Sequence, residues 1–125
     1  MGQTENYAVT STSFSYDNLI VTGTFPIITD SLTLLTGTNY VRGTVLGVVT
    51  ATGKAVKVDS TKADGSQVPY AILTQDTDAT AADILAPVYL TGEFNGAALI
   101  FGGTDTKDTH KASLRKIGIF VKTVI

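Results

Sequence analysis

Two apolar, β-favouring runs on either side of Asn95-Gly96 decide the fold class: Pro87-Val-Tyr-Leu-Thr-Gly-Glu-Phe94 and Ala97-Ala-Leu-Ile-Phe101. Asn-Gly is strongly preferred in the two-residue type I′ turn, because both central positions of that turn need a positive φ. The sequence therefore predicts a β-hairpin whose strands are residues 87–94 and 97–101.

A second hairpin is predicted upstream, where residues 43–50 and 54–59 are rich in Val, Ala and Thr and flank Ala-Thr-Gly. Gly53 occupies the turn position that we expect to have a positive φ. Polar loops are predicted at residues 59–67 and 77–83. Four further stretches favour strands: residues 19–24, 25–35, 68–73 and 119–125.

One short helix is predicted in the C-terminal region, between Asp105 and Gly118. Asp105 is a suitable N-cap residue, and Asp108 lies near the positive end of the helix dipole. Gly118 ends the helix, because glycine readily adopts the left-handed conformation that follows a helix. Three basic residues suit the negative end of the dipole: Lys111, Arg115 and Lys116.

The predicted helix has two different faces. His110, Leu114 and Ile117 are spaced at i, i+4 and i+7, which predicts a stripe packed against the core, with His110 as a half-buried packing residue. The opposite face carries a basic ridge, made of Lys107, Lys111 and Arg115. This ridge is either a solvated face or a secondary contact with an acidic protein surface.

The composition agrees with a single small domain. The chain has 125 residues, of which 43% are hydrophobic and 16% charged, so it has enough apolar side chains for one core. It contains 21 threonines, and threonine is a β-branched residue that favours strands. Together with the predicted elements, this indicates a mostly β domain over residues 18–125 with one short α-helix near its C-terminal end.

Residues 1–17 differ from the rest of the chain. They are rich in Ser, Thr, Asn and Gln, and their apolar residues are scattered: Tyr7, Val9, Phe14 and Tyr16. Such a segment buries too little apolar surface to fold alone. We therefore expect an N-terminal arm that is either a frayed terminus or a strand that becomes ordered by pairing with another chain.

No catalytic or metal-binding constellation is recognisable in the sequence. The chain has no cysteine and one histidine, His110, which excludes thiolate chemistry and any multi-histidine metal site. Asp76-Thr77-Asp78 is not followed by the oxygen donors and the glycine that a calcium loop needs. We expect no catalytic residue, no metal and no cofactor, and a binding or structural part rather than an enzyme.

Charge and hydropathy limit the partners and the compartment. A net charge of −2 gives no reason to expect nucleic acid. No apolar run approaches the length of about 18 residues that crosses a bilayer. Because the first basic residue is Arg42, we expect no secretory signal and a soluble protein that stays in the compartment where it is made.

Five features follow one another in the C-terminal two-thirds of the chain: Arg42-Gly-Thr-Val-Leu-Gly-Val-Val-Thr-Ala-Thr-Gly53, Asp64-Gly65-Ser66 with Ala71-Ile-Leu73, Thr91-Gly-Glu-Phe-Asn-Gly96, a short charged helix, and Ile117-Gly-Ile-Phe-Val121. Each feature alone is an ordinary turn, strand or helix. Their collinear order resembles that of the lambda-type phage head decoration, or cementing, proteins. The resemblance covers roughly residues 40–125, and the N-terminal segment matches in being polar and rich in Thr.

This resemblance implies a β-clip-like fold, a small barrel or sandwich that forms a homotrimer. It also implies a seat at the local three-fold positions on the outer surface of the expanded phage head, where the trimer bridges subunits of the major capsid protein and stabilises the head. The family's N-terminal arms pair with coat-protein strands, which implies a capsid-binding arm here, made of Thr4, Tyr7, Val9, Thr12, Phe14 and Tyr16.

The resemblance further implies a virion protein that passes through the host cytoplasm during assembly. It carries over no catalytic residue, metal or cofactor. Its partners would be the major capsid protein and further copies of the same chain, with no nucleic acid, membrane or small-molecule substrate.

The residues alone leave two other functions open. A carbohydrate- or receptor-binding β module of a phage tail or an adhesin would use exposed aromatic residues, and the candidates are Tyr40, Tyr70 and Tyr89. The chain lacks Trp, which is the commonest sugar-stacking residue in such modules. A trimeric β-clip enzyme of the nucleotide-hydrolysing kind would need metal-coordinating carboxylates and a phosphate loop, and neither is recognisable.

Overall fold

The computed structural model describes residues 18–21 and 25–123. Within these ranges lie eight strands and one α-helix, α1, Lys107–Lys116. A 3₁₀ turn at Gly96–Ala98 follows the seventh strand. The strands are β1 Ile28–Leu34, β2 Asn39–Tyr40, β3 Val45–Val48, β4 Ala55–Lys57, β5 Ala71–Leu73, β6 Thr77–Asp78, β7 Ile84–Asn95 and β8 Ile119–Lys122.

Five of the strands close into a small barrel. Neighbouring strands follow the order β1-β4-β3-β5-β7, and β1 pairs again with β7 to complete the ring. The closing seam is a long antiparallel ladder, which runs from Ile28 opposite Thr91 to Leu34 opposite Ile84. β8 lies outside the ring, and β2 with β6 forms a separate two-stranded ribbon. The predicted class, a mostly β small barrel with one short helix in its C-terminal region, is confirmed.

The barrel wall has a hydrophobic core on each side, one inside the barrel and one outside it. Successive side chains of a strand point to opposite faces, so the neighbours Val45 and Leu46 of β3 belong to different cores. One core fills the barrel with side chains from all five strands, including Leu34, Leu46, Ala55, Leu73 and Val88. The other core lies between the barrel wall and α1, and includes Leu19, Val45, Phe94, Leu114 and Ile119.

The hairpin predicted within residues 43–59 is confirmed. β3 and β4 are antiparallel, with Leu46 opposite Lys57 and Val48 opposite Ala55. Gly53 has a φ of 71°, which a residue with a side chain rarely adopts. Here a local turn signal was sufficient because the two strands are neighbours in both sequence and sheet.

The hairpin predicted at Asn95-Gly96 is wrong. β7 extends to Asn95, and its last four residues pair in parallel with β8 rather than with residues 97–101. Asn95 has a φ of −76°, and its side-chain oxygen accepts the Ala97 N–H at 3.1 Å. That bond starts a 3₁₀ turn in place of the type I′ turn, which would need a positive φ at Asn95.

Several predicted strands are shorter than the sequence suggests. Residues 97–101 contribute one bridge, at Ile100, and residues 19–24 contribute one at Ile20. The last three residues of the latter stretch lie outside the described ranges. The predicted loop of residues 77–83 begins with the two-residue strand β6.

The helix forms close to where the sequence predicts it, but it begins differently. Thr106, rather than Asp105, is the N-cap residue, and its N–H donates to Thr109 Oγ1 at 3.1 Å. Asp105 is unavailable as a cap because its carboxylate is engaged by Ser60. Gly118 follows the helix with a φ of 85°, as the sequence predicts for a helix-ending glycine.

The predicted apolar stripe of α1 is only partly correct. His110 and Leu114 are buried against the core. Ile117 is 38% exposed, because it is the C-cap residue and lies beyond the last helical turn. The exposed Ile117 thus becomes part of the surface rather than of the core.

Gly47 of β3 provides a test of how closely the loop around Ser66 packs on the barrel. A Cβ at Gly47 would lie 2.3 Å from Ser66 O and 2.8 Å from Ser66 Cα, both of them backbone atoms. We expect Gly47→Ala to lower the free energy of unfolding by about 3 kcal/mol through overpacking. The matched control is Gly53→Ala, where nothing lies within 4 Å and the positive φ alone should cost about 1 kcal/mol. Urea unfolding followed by circular dichroism measures both, and equal losses would contradict this packing.

Candidate functional surface

The arm root, residues 18–21, is where the predicted arm meets the domain. Asn95 N–H donates to Leu19 O, and Val21 N–H donates to Glu93 O, each at 2.8 Å. Leu19 is 2% exposed and belongs to the core beneath α1. The arm root is therefore fixed to the body by a short antiparallel ladder and a buried side chain. The predicted arm contacts lie outside the described residues and stay predictions: Thr4, Tyr7, Val9, Thr12, Phe14 and Tyr16.

Glu93 holds the chain beside the arm root. Its side chain is 9% exposed, and Oε1 forms a salt bridge with Lys122. Its other oxygen, Oε2, accepts the Phe25 N–H at 3.0 Å. A buried carboxylate is stable only when it is paired and hydrogen-bonded, and both conditions are met here. The backbone and the side chain of Glu93 thus hold Val21 and Phe25 against β7.

The Phe25 patch is a set of exposed apolar side chains next to this anchor: Phe25 and Ile27, together with Ile117, which directly precedes the glycine that lies under the Phe25 ring, Gly118. Their exposed fractions are 38%, 46% and 38% respectively. The Phe25 ring packs edge-on against half-buried Phe120, with ring centroids 4.7 Å apart. No local signal in the sequence predicts this patch, because Ile117 is 90 positions away from Ile27 in the chain.

The basic ridge predicted on the helix is divided between two environments. Lys107 is half-buried, its Nζ lies 3.8 Å from Asp108 Oδ1, and its stem covers Gly96. Lys111 and Arg115 are exposed and form no salt bridge within the part of the chain that the structure describes. The predicted contact by Lys107, Lys111 and Arg115 stays a prediction, and Lys107 is the least accessible of the three.

Asp105 links the loop after β4 to the helix. Its carboxylate accepts the Ser60 N–H and the Ser60 hydroxyl, each at 2.6 Å, and lies 2.7 Å from His110 Nε2. The His110 ring stacks on Phe101 and is 4% exposed, so it is more deeply buried than the sequence predicts. The Ser60 hydroxyl and the His110 contact lower the pKa of Asp105. Ser60, Asp105 and His110 thus form a cluster, the Asp105 clamp, which connects the loop after β4 to the start of α1.

An open cleft of about 460 Å³ is lined in part by charged residues at the end of β4 and in the loop that follows it: Lys57, Asp59, Lys62 and Asp64. Asp59 accepts two hydrogen bonds from Thr61, and Asp64 accepts two from Ser66. These bonds lower the pKa of both carboxyl groups. The acidic groups of the cleft are thus engaged in their own loop turns.

Two further findings concern the described residues. No group of three or more acidic or histidine side chains among them could hold a metal ion. None of their helical segments has the length and apolar character that crossing a bilayer requires.

The site thus combines a closed five-stranded barrel, an arm root that is hydrogen-bonded to β7, and exposed apolar side chains on one small β domain. The family model described as bacteriophage lambda head decoration protein D matches residues 8–119. This match covers most of the chain, so the protein belongs to that family of phage capsid decoration proteins. The resemblance to this family is confirmed: of the residues 40–125 over which it was noted, the match covers 40–119, and it also extends into the predicted arm. A comparison with curated proteins finds no match.

The Asp105 clamp predicts how stability depends on pH. The folded state lowers the pKa of Asp105, so the ionised carboxylate stabilises the fold. This stabilisation is complete above the pKa of the unfolded chain, about 3.9, and is lost as the pH falls through the lower pKa of the folded state. We expect the wild-type free energy of unfolding to decrease as the pH drops below about 4. The Asp105→Asn variant should be less stable than the wild type at pH 7, and its free energy of unfolding should change less with pH in acid. Gln75→Ala, at an exposed residue outside the clamp that carries no titratable group, is the control and should keep the wild-type slope. Urea unfolding at a series of pH values measures this, and an unchanged slope in Asp105→Asn would contradict the clamp.

Proposed function

We propose that the protein is a structural cementing protein that forms homotrimers at local three-fold positions of the expanded phage head and bridges subunits of the major capsid protein. The observation that carries the proposal is the family match, which includes the barrel and part of the arm. The protein would act on the outer surface of the head, after passing through the host cytoplasm. It would work without catalysis or a cofactor, and without nucleic acid, membrane or small-molecule partners.

The proposed organisation has two parts, an arm of residues 1–17 and a domain of residues 18–125. The arm adds as a strand to the coat protein, so that main-chain hydrogen bonds supply affinity. Its three aromatic side chains fill apolar pockets and act as anchors: Tyr7, Phe14 and Tyr16. The antiparallel ladder at residues 18–21 supports this function, since it gives the arm a fixed point of departure.

A trimer suits this task for a physical reason. Three arms on one body contact several coat subunits together, and each bound arm raises the effective concentration of the others. Weak individual contacts then give a long residence time on the head. Local three-fold symmetry in the shell matches a three-fold body, so each arm meets the same environment.

The carbohydrate-binding alternative has less support in the structure. Tyr40 is 2% exposed, and its hydroxyl donates to Leu35 O. Tyr89 is half-buried beneath the Arg42 guanidinium. Tyr70 is 47% exposed, so one of the three candidate tyrosines offers an open ring face.

Deletion of residues 1–17 tests the arm. We expect the truncated protein to keep its thermal midpoint within a few degrees, because the described members of both cores lie at Leu19 or later in the chain. Binding to expanded heads that lack the protein should be lost, as measured by co-sedimentation. Retained binding by the truncated protein would overturn the role proposed for the arm.

A matched pair of variants separates specific arm contacts from mere arm length. Tyr7→Ser combined with Phe14→Ser and Tyr16→Ser removes the aromatic anchors and should weaken head binding about tenfold or more. Thr4→Ser combined with Thr12→Ser keeps hydroxyl groups at two polar positions and should bind as the wild type does. Equal binding by both variants would show that the aromatic residues are not anchors.

A further inference from the structure

Asn95-Gly96 is the only Asn-Gly pair in the chain, and such a pair is chemically labile when the chain is unfolded. Glycine has no side chain to keep its backbone nitrogen away from the preceding amide. The Gly96 nitrogen attacks Asn95 Cγ, so that a new C–N bond forms and the C–N bond of the side-chain amide breaks. The amide nitrogen leaves as ammonia and takes the proton of the Gly96 N–H. Water then opens the five-membered imide at either carbonyl, which gives aspartate or isoaspartate.

The packing explains why both residues of this pair are needed. A Cβ at Gly96 would lie 2.6 Å from Lys107 Cδ and 2.8 Å from Val121 Cγ1, so a larger residue would displace both side chains. Asn95 starts the 3₁₀ turn, because its side-chain oxygen accepts the Ala97 N–H at 3.1 Å. The end of β7 therefore combines a glycine required by packing with an asparagine that forms the turn.

The folded backbone holds Asn95 away from the geometry of ring closure. The imide ring needs Cβ and the Gly96 nitrogen on the same side of the Asn95 Cα–C bond, and the observed ψ of 116° does not provide this. Asn95 is 2% exposed, which also keeps away the water that the second step consumes. Rotation about this bond would break the pairing of Asn95 with β8 on one edge and its hydrogen bond to Leu19 O on the other.

Of these two edges, the arm root is the weaker. β8 pairs with β7 over four residues, whereas the arm root forms one bridge, at Ile20 opposite Phe94, with two hydrogen bonds beside it. Among the described members of the core beneath α1, Leu19 is the buried side chain that the arm root supplies. Proteins open locally where a segment has few buried contacts. The arm root therefore leaves β7 more often than β8 does.

We propose that Asn95 is a latent deamidation site that the arm root guards. The site is closed while residues 18–21 pair with β7, and it reacts when they separate from the strand. Isoaspartate adds a methylene group to the backbone, so the modified β7 no longer matches the register of the arm root and β8, and the opening becomes permanent. The reaction needs only water as a co-reactant. This inference goes beyond the proposed function and does not depend on binding to heads.

The first experiment compares the folded and unfolded full-length protein. Samples are kept in native buffer and in guanidinium chloride at the same mildly alkaline pH, and peptide mass spectrometry measures the conversion of each asparagine. We expect Asn95 to react at least about tenfold more slowly in the folded protein. The internal reference is Asn39, which is exposed and followed by Tyr40, and its rate should change less between the two states. Equal rates for folded and unfolded Asn95 would overturn the inference.

A matched pair of variants tests whether the arm root is the guard. Leu19→Ala removes the buried side chain of the arm root, and Leu73→Ala makes the same change inside the barrel. In native buffer, Leu19→Ala should speed the deamidation of Asn95 about tenfold, and Leu73→Ala should stay within about threefold of the wild type. Circular dichroism checks that both variants are folded. Equal acceleration by the two variants would assign the reaction to global unfolding and overturn the role of the arm root.

A second measurement uses the wild type and does not require either variant to fold. Hydrogen exchange reports the opening of the arm root at the Val21 N–H, which donates to Glu93 O, and at the Asn95 N–H. At low guanidinium chloride concentrations, both exchange rates and the deamidation rate of Asn95 should rise together and only weakly, because opening the arm root exposes little surface. A deamidation rate that rises as steeply as global unfolding would show that the arm root is not the guard.

Discussion

The backbone of β7 is the constraint on which the rest of the structure depends. This strand runs from Ile84 to Asn95, and its two edges together pair with β1, β5, β8 and the arm root. A strand that is paired on both edges has few unsatisfied N–H and C=O groups, so its path is strongly determined. The β1 ladder closes the barrel, and the β8 ladder places α1 over the second core. Displacing β7 would therefore open the barrel, expose both cores and release the arm root together.

This arrangement explains why the exposed patch and the arm root lie close together. Residues 19–21 and 25–34 follow β7 in the antiparallel direction, first at Asn95, then past Glu93, and finally along the barrel seam. Glu93 is buried at the point where these segments meet and is held by Lys122 and by the Phe25 N–H. The polar anchor and the apolar patch are thus consecutive parts of one path rather than independent features of the surface.

The fold class, the 43–59 hairpin and the existence of α1 could be predicted from sequence because their signals are local. The structure at Asn95-Gly96 could not be predicted from local signals, and the hairpin predicted there is wrong. The Asn95 N–H is taken by Leu19, which is 76 positions earlier, and β7 pairs there with β8, which is more than 20 positions later. Such long-range hydrogen bonds override a turn preference that is worth little by itself. For the same reason the sequence identified the basic residues of α1, which share one helix, but not the Phe25 patch, whose members meet only in the folded chain.

Side-chain hydrogen bonds fix three loop turns of the domain, which favours docking in the proposed function. Asp59, Asp64 and Asp78 each accept both the N–H and the hydroxyl of the residue two positions later, and these bonds hold three loop turns in place. A body with such fixed loops loses little conformational freedom when it docks, so more of the contact energy remains as affinity. The proposed arm would have the opposite property, because a polar segment that pairs with a partner loses conformational entropy. In the proposed function the two parts would complement each other: the body would set where the arm begins, and the arm would supply the reach that a small barrel lacks.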